Sequence, residues 1–344
     1  MTSRTFLFIL ALVFSANSSA IEINNSNASS IAEAYGFVIG QQLTLDRIAK
    51  RYPDLSREVL LARLSFQRTF GDIPAEVEPM LREAFGDENY QKFRAKIKDQ
   101  LKRQLGAQNL NLQASKAFLG EVNTRAKGDI PEPILAYLLA IRFGDVPVKE
   151  YVKGFRQKYK TDGYGKSNGV VLHMQLPRSW QGLEGNRPHI VRKWKSEAGT
   201  GMELIMLQVR ETDGVRVTRS DVAEMMQPGE IEDLVPEGGL LRDYGMVTIE
   251  NLPGYFMDIE LLMERAGIAI YQKMRQYSFF YHDRMVAVQC SAGAPESEHE
   301  VVGARFERMK PLCAQIFNSV VLPGEYEGME PKNWPKEEVT MPAI

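Results

Sequence analysis

A few stretches of the sequence set chemically capable side chains at spacings that a known chemistry uses. In GYGKS, residues 163–167, a glycine loop ending Lys166-Ser167 has the means to cradle phosphates on backbone N–H groups and to offer a hydroxyl to magnesium. The first glycine of such a loop would fall at position 160, which is Lys160, and the stretch precedes a strand pattern instead of opening a helix. His299-Glu300 opens like a zinc-protease helix, in which two histidines one turn apart share the metal, but the partner position holds Gly303. The remaining histidines, His173, His189 and His282, have no ligand spacing. No serine-nucleophile elbow is present, and neither Cys290 nor Cys313 has the setting of a catalytic thiolate. The acidic run GEIEDLVPEGG lacks the alternating oxygen ligands of a calcium loop and reads as a solvated loop. The basic run from Lys92 to Arg103 flanks the apolar stripe of its own helix and reads as a wet face. No catalytic constellation, metal or cofactor is expected.

The richest stretch is LPRSWQGLEGNRPHIVRKW, from Leu176 to Trp194. Pro177 cannot donate to a strand ladder and ends a strand, Trp180 is suited to covering a sheet edge, and Gly185-Asn186 form a turn. Alternation places His189, Val191 and Lys193 on one face of the following strand, with Ile190, Arg192 and Trp194 on the other. This is mainly sheet framework; Trp180, Asn186, Arg187 and His189 are its candidates for contact with a ligand or partner.

The elements that must position these groups follow from composition and periodicity. The 344 residues are 44% hydrophobic and 25% charged, enough for packed cores in about two domains. A formal charge of −2 supplies no cationic field for a phosphate backbone, so nucleic acid is not an expected partner. Arg4, the apolar run Phe6 to Phe14, and small residues at Ser18 and Ala20 form a signal peptide over residues 1–20. The apolar run is about half the ~20 residues that cross a bilayer, so no integral span is expected in the mature chain, which is then periplasmic or secreted. In that oxidising setting Cys290 and Cys313 are a candidate disulfide.

Residues 32–160 read as a helical domain of roughly five or six helices, with apolar residues three or four apart, as at Phe93, Ile97, Leu101 and Leu105. KTDGYGKSNG then reads as a linker, because its glycines and polar residues bury little. Residues 168–323 change to short runs rich in β-branched and aromatic residues. They hold one short helix at SDVAEMM capped by Ser220, a meander with turns at RAG and HD, and a final helix carrying Phe306, Met309, Leu312, Ile316 and Val320. The proline- and charge-rich residues 324–344 read as an extended tail. The fold class is α+β: an all-helical amino-terminal domain, then an antiparallel sheet domain with packed helices.

The ordered pieces LPRSW, EGNRPHIVRKW, NLPGYFMDIEL, RMVAVQC and FERMKPLCAQIFNSVVLP resemble the PsbP-like α/β fold group, particularly exported bacterial members of unknown function, over roughly Gly169 to Pro323. That resemblance implies an antiparallel sheet backed by helices, used mostly to bind or assist other proteins. AEAYGFVIGQQL, DLSREVLLARLSFQRTFGD and SKAFLGEVNTRAKG resemble the helical dimerisation domain of exported FKBP-type peptidyl-prolyl isomerases, over about Ala32 to Gly128. It implies helices exchanged between two chains, with Tyr35, Phe37 and Ile39 in the exchanged helix. No FKBP catalytic domain follows, so isomerase activity does not carry over. The expected function is that of an exported, non-enzymatic protein working by contact with other exported proteins, as a chaperone or assembly factor, with homodimerisation through the amino-terminal helices. The alternatives are a small-ligand binder or enzyme with its site at the domain interface, or a structural subunit of an envelope complex.

Overall fold

The computed structural model describes residues 21, 23–24, 26–107 and 110–326. The expected signal segment and the expected tail beyond residue 326 lie outside the described residues.

The first part of the chain forms α1 (Ala28–Arg51), α2 (Ser56–Phe70), α3 (Ile73–Phe85), α4 (Asp87–Ala107), α5 (Leu112–Arg125), α6 (Glu132–Phe143) and α7 (Pro147–Val152). Local chemistry sets several of their ends. Asp72 and Asn111 accept from the backbone N–H of Ala75 and Ala114, satisfying donors that the first turns of α3 and α5 leave open. Prolines at the first turn of α6 and of α7 lose no hydrogen bond there, since those N–H groups have no helical partner. Tyr35, Ile48, Phe70, Leu81 and Leu135 are enclosed in the core that the first six helices share.

Two expectations about the domain boundary change. β1 (Arg156–Lys160) pairs antiparallel with β2 (His173–Pro177), so residues assigned to the helical domain belong to a strand. The expected linker KTDGYGKSNG is the loop of that hairpin, tied by the Thr161 hydroxyl, which donates to Val170 O at 2.7 Å and accepts from Leu172 N at 2.8 Å. The change of core falls earlier: Phe143 packs with the helices, whereas Tyr151 of α7 packs with the sheet. Gly-rich composition alone did not distinguish a hairpin loop from a linker, because both are short of apolar surface.

The main sheet is antiparallel and has the order β3-β4-β5-β9-β8-β7-β6. Its strands are β3 (Gln181–Glu184), β4 (Ile190–Lys195), β5 (Glu203–Glu211), β6 (Gly239–Ile249), β7 (Leu252–Arg265), β8 (Ile268–Tyr281) and β9 (Arg284–Pro295). A single turn, α8 (Ser196–Gly199), separates β4 from β5. The β3–β4 hairpin requires Gly185, since a Cβ there would lie 1.8 Å from the carbonyl oxygen of Ile190. The expected meander is β7–β9, turned at Ala266 and His282, both in the left-handed region. The short helix is α9 (Arg219–Met225), but its cap is Thr218, which exchanges hydrogen bonds with Asp221; Ser220 sits inside the first turn.

α10 (His299–Phe317) lies across one face of the sheet. Ile205, Leu207 and Val209 of β5 alternate toward it, as do Val286, Val288 and Cys290 of β9, to meet Met309, Leu312 and Ile316. Phe317 stacks on Tyr277 with ring centres 4.5 Å apart, and the β1–β2 ribbon closes the same core by setting Tyr159 edge-on to Trp194. Cys290 and Cys313 are disulfide-bonded, with Cα atoms 6.2 Å apart, which fastens α10 to β9. Denatured, unreduced protein should therefore present no free thiol. The Cys290→Ala/Cys313→Ala double variant should lose about 3 kcal/mol in urea unfolding, the loop-closure value for a cross-link between residues 23 apart.

Candidate functional site

The sheet face opposite α10 is concave. Because strand side chains alternate, the residues between those that meet α10 form rows across this second face. Met206, Gln289, Gln276 and Met257 stand in one row over β5, β9, β8 and β7; Leu204, Ser291, Met274 and Ile259 form the next. Val222, Met226 and Ile231, from α9 and the turn after it, cover the β7 side by packing on Tyr255, Met257 and Ile259. The β4–β5–β9 side stays open, leaving a trough of about 840 Å³. Its floor is soft and uncharged. Gln208 Nε2 donates to Gln289 Oε1 at 2.9 Å, Gln276 Nε2 donates to Ser278 Oγ at 3.0 Å, and unbranched thioethers stand between them.

Three of the four contact candidates come together here. Asn186, Arg187 and His189 line the β4 rim of the trough, joined by Lys193, whose ammonium donates to Asn186 Oδ1 at 3.4 Å. His189 is held below its usual pKa, first by burial and then by the positive charges of Arg210 and Arg187. Trp180 is not part of this site. It is 4% exposed and belongs to the core under α10, with its carbonyl accepting from Gln157 Nε2 at 2.6 Å. The expected alternation along β4 is also corrected: a bulge between Ile190 and Arg192 turns Ile190 toward the trough and Val191 toward the core with Trp194.

The row of methionines and glutamines was not singled out from the sequence. Its signal was the period of two in MELIMLQVRE and in IAIYQKMRQYSFFY, where Met206 and Gln208, and Met274 and Gln276, share faces. Tyr35, Phe37 and Ile39 lie within the chain's own helical core. Tyr35 donates to Glu78 Oε1 at 2.8 Å, and Arg125 covers the ring of Phe37 at 4.9 Å.

A second cluster, which sequence reasoning also missed, lies where the helices meet the sheet. Arg305 of α10 reaches Glu197 Oε1 at 2.7 Å and Glu203 Oε1 at 3.1 Å, and the Ser196 hydroxyl donates to Glu203. Burial works against the charge of Arg305, yet the carboxylates of Glu203 and Glu197 hold its guanidinium above the usual range. Glu197 and Ala198 are left-handed, with φ of 53° and 54°, a conformation that costs on the order of 1 kcal/mol per residue. Gly199 continues the turn at φ 98°, where a Cβ would meet the side chain of Gln181. This turn sets Ala198 against the helical core. The cavity at this junction, between Phe143, Glu150 and Glu203, holds about 20 Å³, room for about one water and no larger ligand. Among the described residues no group of three His, Cys, Asp or Glu side chains is placed to hold a metal ion. No helix among them is long and apolar enough to cross a membrane.

No family model matches the chain, and no curated protein matches its sequence. Solved structures are similar to about half of it. Cyanobacterial PsbP from Synechocystis, of the fold group that the carboxyl-terminal half resembles, is 13% identical, covers 48% of this chain and 92% of its own, and has a TM-score of 0.31. LpqN, involved in cell envelope biogenesis of Mycobacterium tuberculosis, is 12% identical over 51% of this chain and 96% of its own, at a TM-score of 0.30. The Ran-binding protein Mog1p of Saccharomyces cerevisiae is 10% identical over 48% and 95%, at 0.34. Likenesses this distant carry nothing about function; the α+β class stands on the strand order and helices themselves.

Glu150 of α7 borders the same junction. Its carboxylate accepts from the backbone N–H and the hydroxyl of Ser179 at 2.8 and 2.6 Å. Burial pushes its pKa up to about 7, against the downward pull of the Ser179 and Arg178 hydrogen bonds. Below pH 4.5 the carboxyl is protonated in folded and unfolded chain alike, and between 4.5 and about 7 the unfolded chain releases its proton first. Glu150 should therefore cost the fold roughly 3 kcal/mol as pH rises through that window, with no further loss above it. Urea unfolding of the wild type minus that of Glu150→Gln, measured from pH 4 to 8, should isolate this slope; identical pH profiles for the two proteins would refute it.

Proposed function

We propose that this is an exported, non-catalytic protein that acts by contact with other polypeptides, as a chaperone or assembly factor, and that the open face of its sheet is the contact surface. The observation that carries the proposal is the trough itself: about 840 Å³ of uncovered sheet, lined by methionines and neutral amides, in a molecule whose opposite sheet face is closed by α10. Thioethers adapt to partners of different shape, which suits a surface that must accept more than one sequence. Export is supported by the signal-like residues 1–20 and by the Cys290–Cys313 disulfide, a bond that persists in oxidising compartments.

The small-ligand alternative is supported at the trough and not at the domain interface. Gln208, Gln289 and Ser291 converge on the trough floor, while the junction has room for about one water. A structural role in an envelope complex would instead give co-purification at fixed stoichiometry.

Purified mature protein should suppress aggregation of unfolded exported proteins and crosslink to them. Met206→Glu sets a charge in the middle of the half-buried floor. It should reduce that crosslinking about tenfold, the cost of desolvating this carboxylate and Lys193, its cross-strand neighbour, beneath a partner, with the melting temperature unchanged. Suppression and crosslinking that survive this substitution would remove the trough from the mechanism. Dimerisation through α1 is a separate part of the proposal. Tyr35 and Ile39 are already enclosed, so a dimer must exchange α1 between chains in place of the intrachain contacts. Light scattering at micromolar concentration should give twice the chain mass, and a monomeric mass would end this part.

A further inference from the structure

The two long walls of the trough differ in charge. From the β4 side and the adjacent edge of β5 come Arg187, His189, Lys193 and Arg210; the β7 wall is apolar, running from Tyr255 through Met257 and Ile259 to Met263. The cations have little to neutralise them. Lys193 is hydrogen-bonded to the neutral Asn186 and Arg210 to the neutral Gln208, at 3.4 and 3.5 Å, and among the described residues Arg187, Lys193 and Arg210 form no ion pair. The nearby Glu211 is engaged elsewhere, accepting from Asn168 Nδ2 at 2.8 Å and lying 3.6 Å from Arg284. Asp233, above the β7 side, is the acidic residue that lines the cavity. Four strand spacings separate β4 from β7, about 19 Å, while a helix with its side chains measures about 10–12 Å across.

We propose that the trough selects amphipathic polypeptide segments with an acidic edge, carboxylates meeting the Arg187–Lys193–Arg210 wall while apolar side chains lie on the methionine floor. This rests on the reading of the sheet face as a polypeptide-docking surface and names the chemistry of what docks. The floor offers mainly apolar contact, since part of its polar capacity is already used: Gln208 Nε2 donates to Gln289 Oε1 and Gln208 Oε1 accepts from Arg210. It therefore binds apolar segments without discriminating among them by charge. Selectivity comes from the wall, where cations that form no ion pair in the free protein gain one on binding, and where a basic segment meets like charge.

The test uses the full mature protein and three fluorescent peptides with one amphipathic pattern of leucine and methionine, their edge built from glutamate, glutamine or lysine. The glutamate peptide should bind about tenfold more tightly than the glutamine peptide, the combined worth of a few solvent-exposed charge contacts, and the lysine peptide should bind more weakly than either. Arg187→Gln/Arg210→Gln, two changes at exposed positions, should remove the preference, bringing the glutamate and glutamine peptides to equal affinity. Equal affinity for glutamate and glutamine peptides, with both lost in Met206→Glu, would overturn the charge selection and leave the docking surface standing. Failure of all three peptides to bind, with a single-chain fatty carboxylate binding in their place and displaced by Met206→Glu, would overturn polypeptide docking itself.

Discussion

α10 covers one face of a seven-stranded antiparallel sheet, while on the other face α9 and the turn after it cover only the β7 side and leave the β4–β5–β9 side open. From that asymmetry the character of both faces follows. Along β5 and β9 the residues that point toward α10 include Ile205, Leu207, Val209, Val286, Val288 and Cys290, and β8 adds Tyr277 and Phe279; the neighbours that point away include Leu204, Met206, Gln208, Met274, Gln276, Gln289 and Ser291. A sheet buried on both sides would read as continuous apolar runs, and one fully wet on its second side would carry lysine and glutamate there. This face is neither. Soft apolar and neutral polar side chains suit the proposed docking, in which the face is open in the free molecule and covered by a partner.

Charge is distributed to match. One buried and paired set of charges lies where the two parts of the chain meet: Arg305 with Glu197 and Glu203, from α10, α8 and β5. Removing one member of such a buried set costs more than the set contributes, so the cluster enforces how α10, the left-handed turn and α6 sit against each other. The left-handed backbone at Glu197 and Ala198 persists because these contacts over-determine it. Strain at this place goes with docking of the helical domain, since the turn puts Ala198 on the helical core and Glu197 on Arg305. Arg187, Lys193 and Arg210, which form no ion pair among the described residues, lie at the trough.

How far the sequence disclosed this depended on whether a feature was local. The helices, the meander of β7 to β9 and the last helix were legible because period and turn residues are written into neighbouring positions, as at Ala266-Gly267 and at His282. Asn186, Arg187 and His189 were legible as a cluster because one turn carries all three. β6 escaped notice, since its pattern of Leu240, Arg242, Tyr244 and Met246 leaves large apolar side chains exposed on an edge strand. The junction cluster was invisible for a different reason: Glu150, Glu197, Glu203 and Arg305 come from four elements, and no spacing links them. Trp180 misled because a tryptophan suits a sheet edge and a buried core equally well, and only the closure of β1–β2 over it decides.

The internal hydrogen bonding of the trough floor bears on what kind of work it can do. A catalytic floor needs polar groups held ready for a substrate atom, with their hydrogen-bonding capacity aimed into the cavity. Here Gln208 is turned to Gln289 and Gln276 to Ser278, so much of that capacity is spent within the sheet. What remains for an incoming molecule is thioether and aliphatic surface from Met206, Leu204 and Met274, which gives adhesion without fixed orientation. In the proposed docking, adhesion of that kind tolerates many sequences. Under the proposed docking, discrimination falls to the charges at the margin and the shape of the opening, and both of these lie on the β4–β5 side of the sheet.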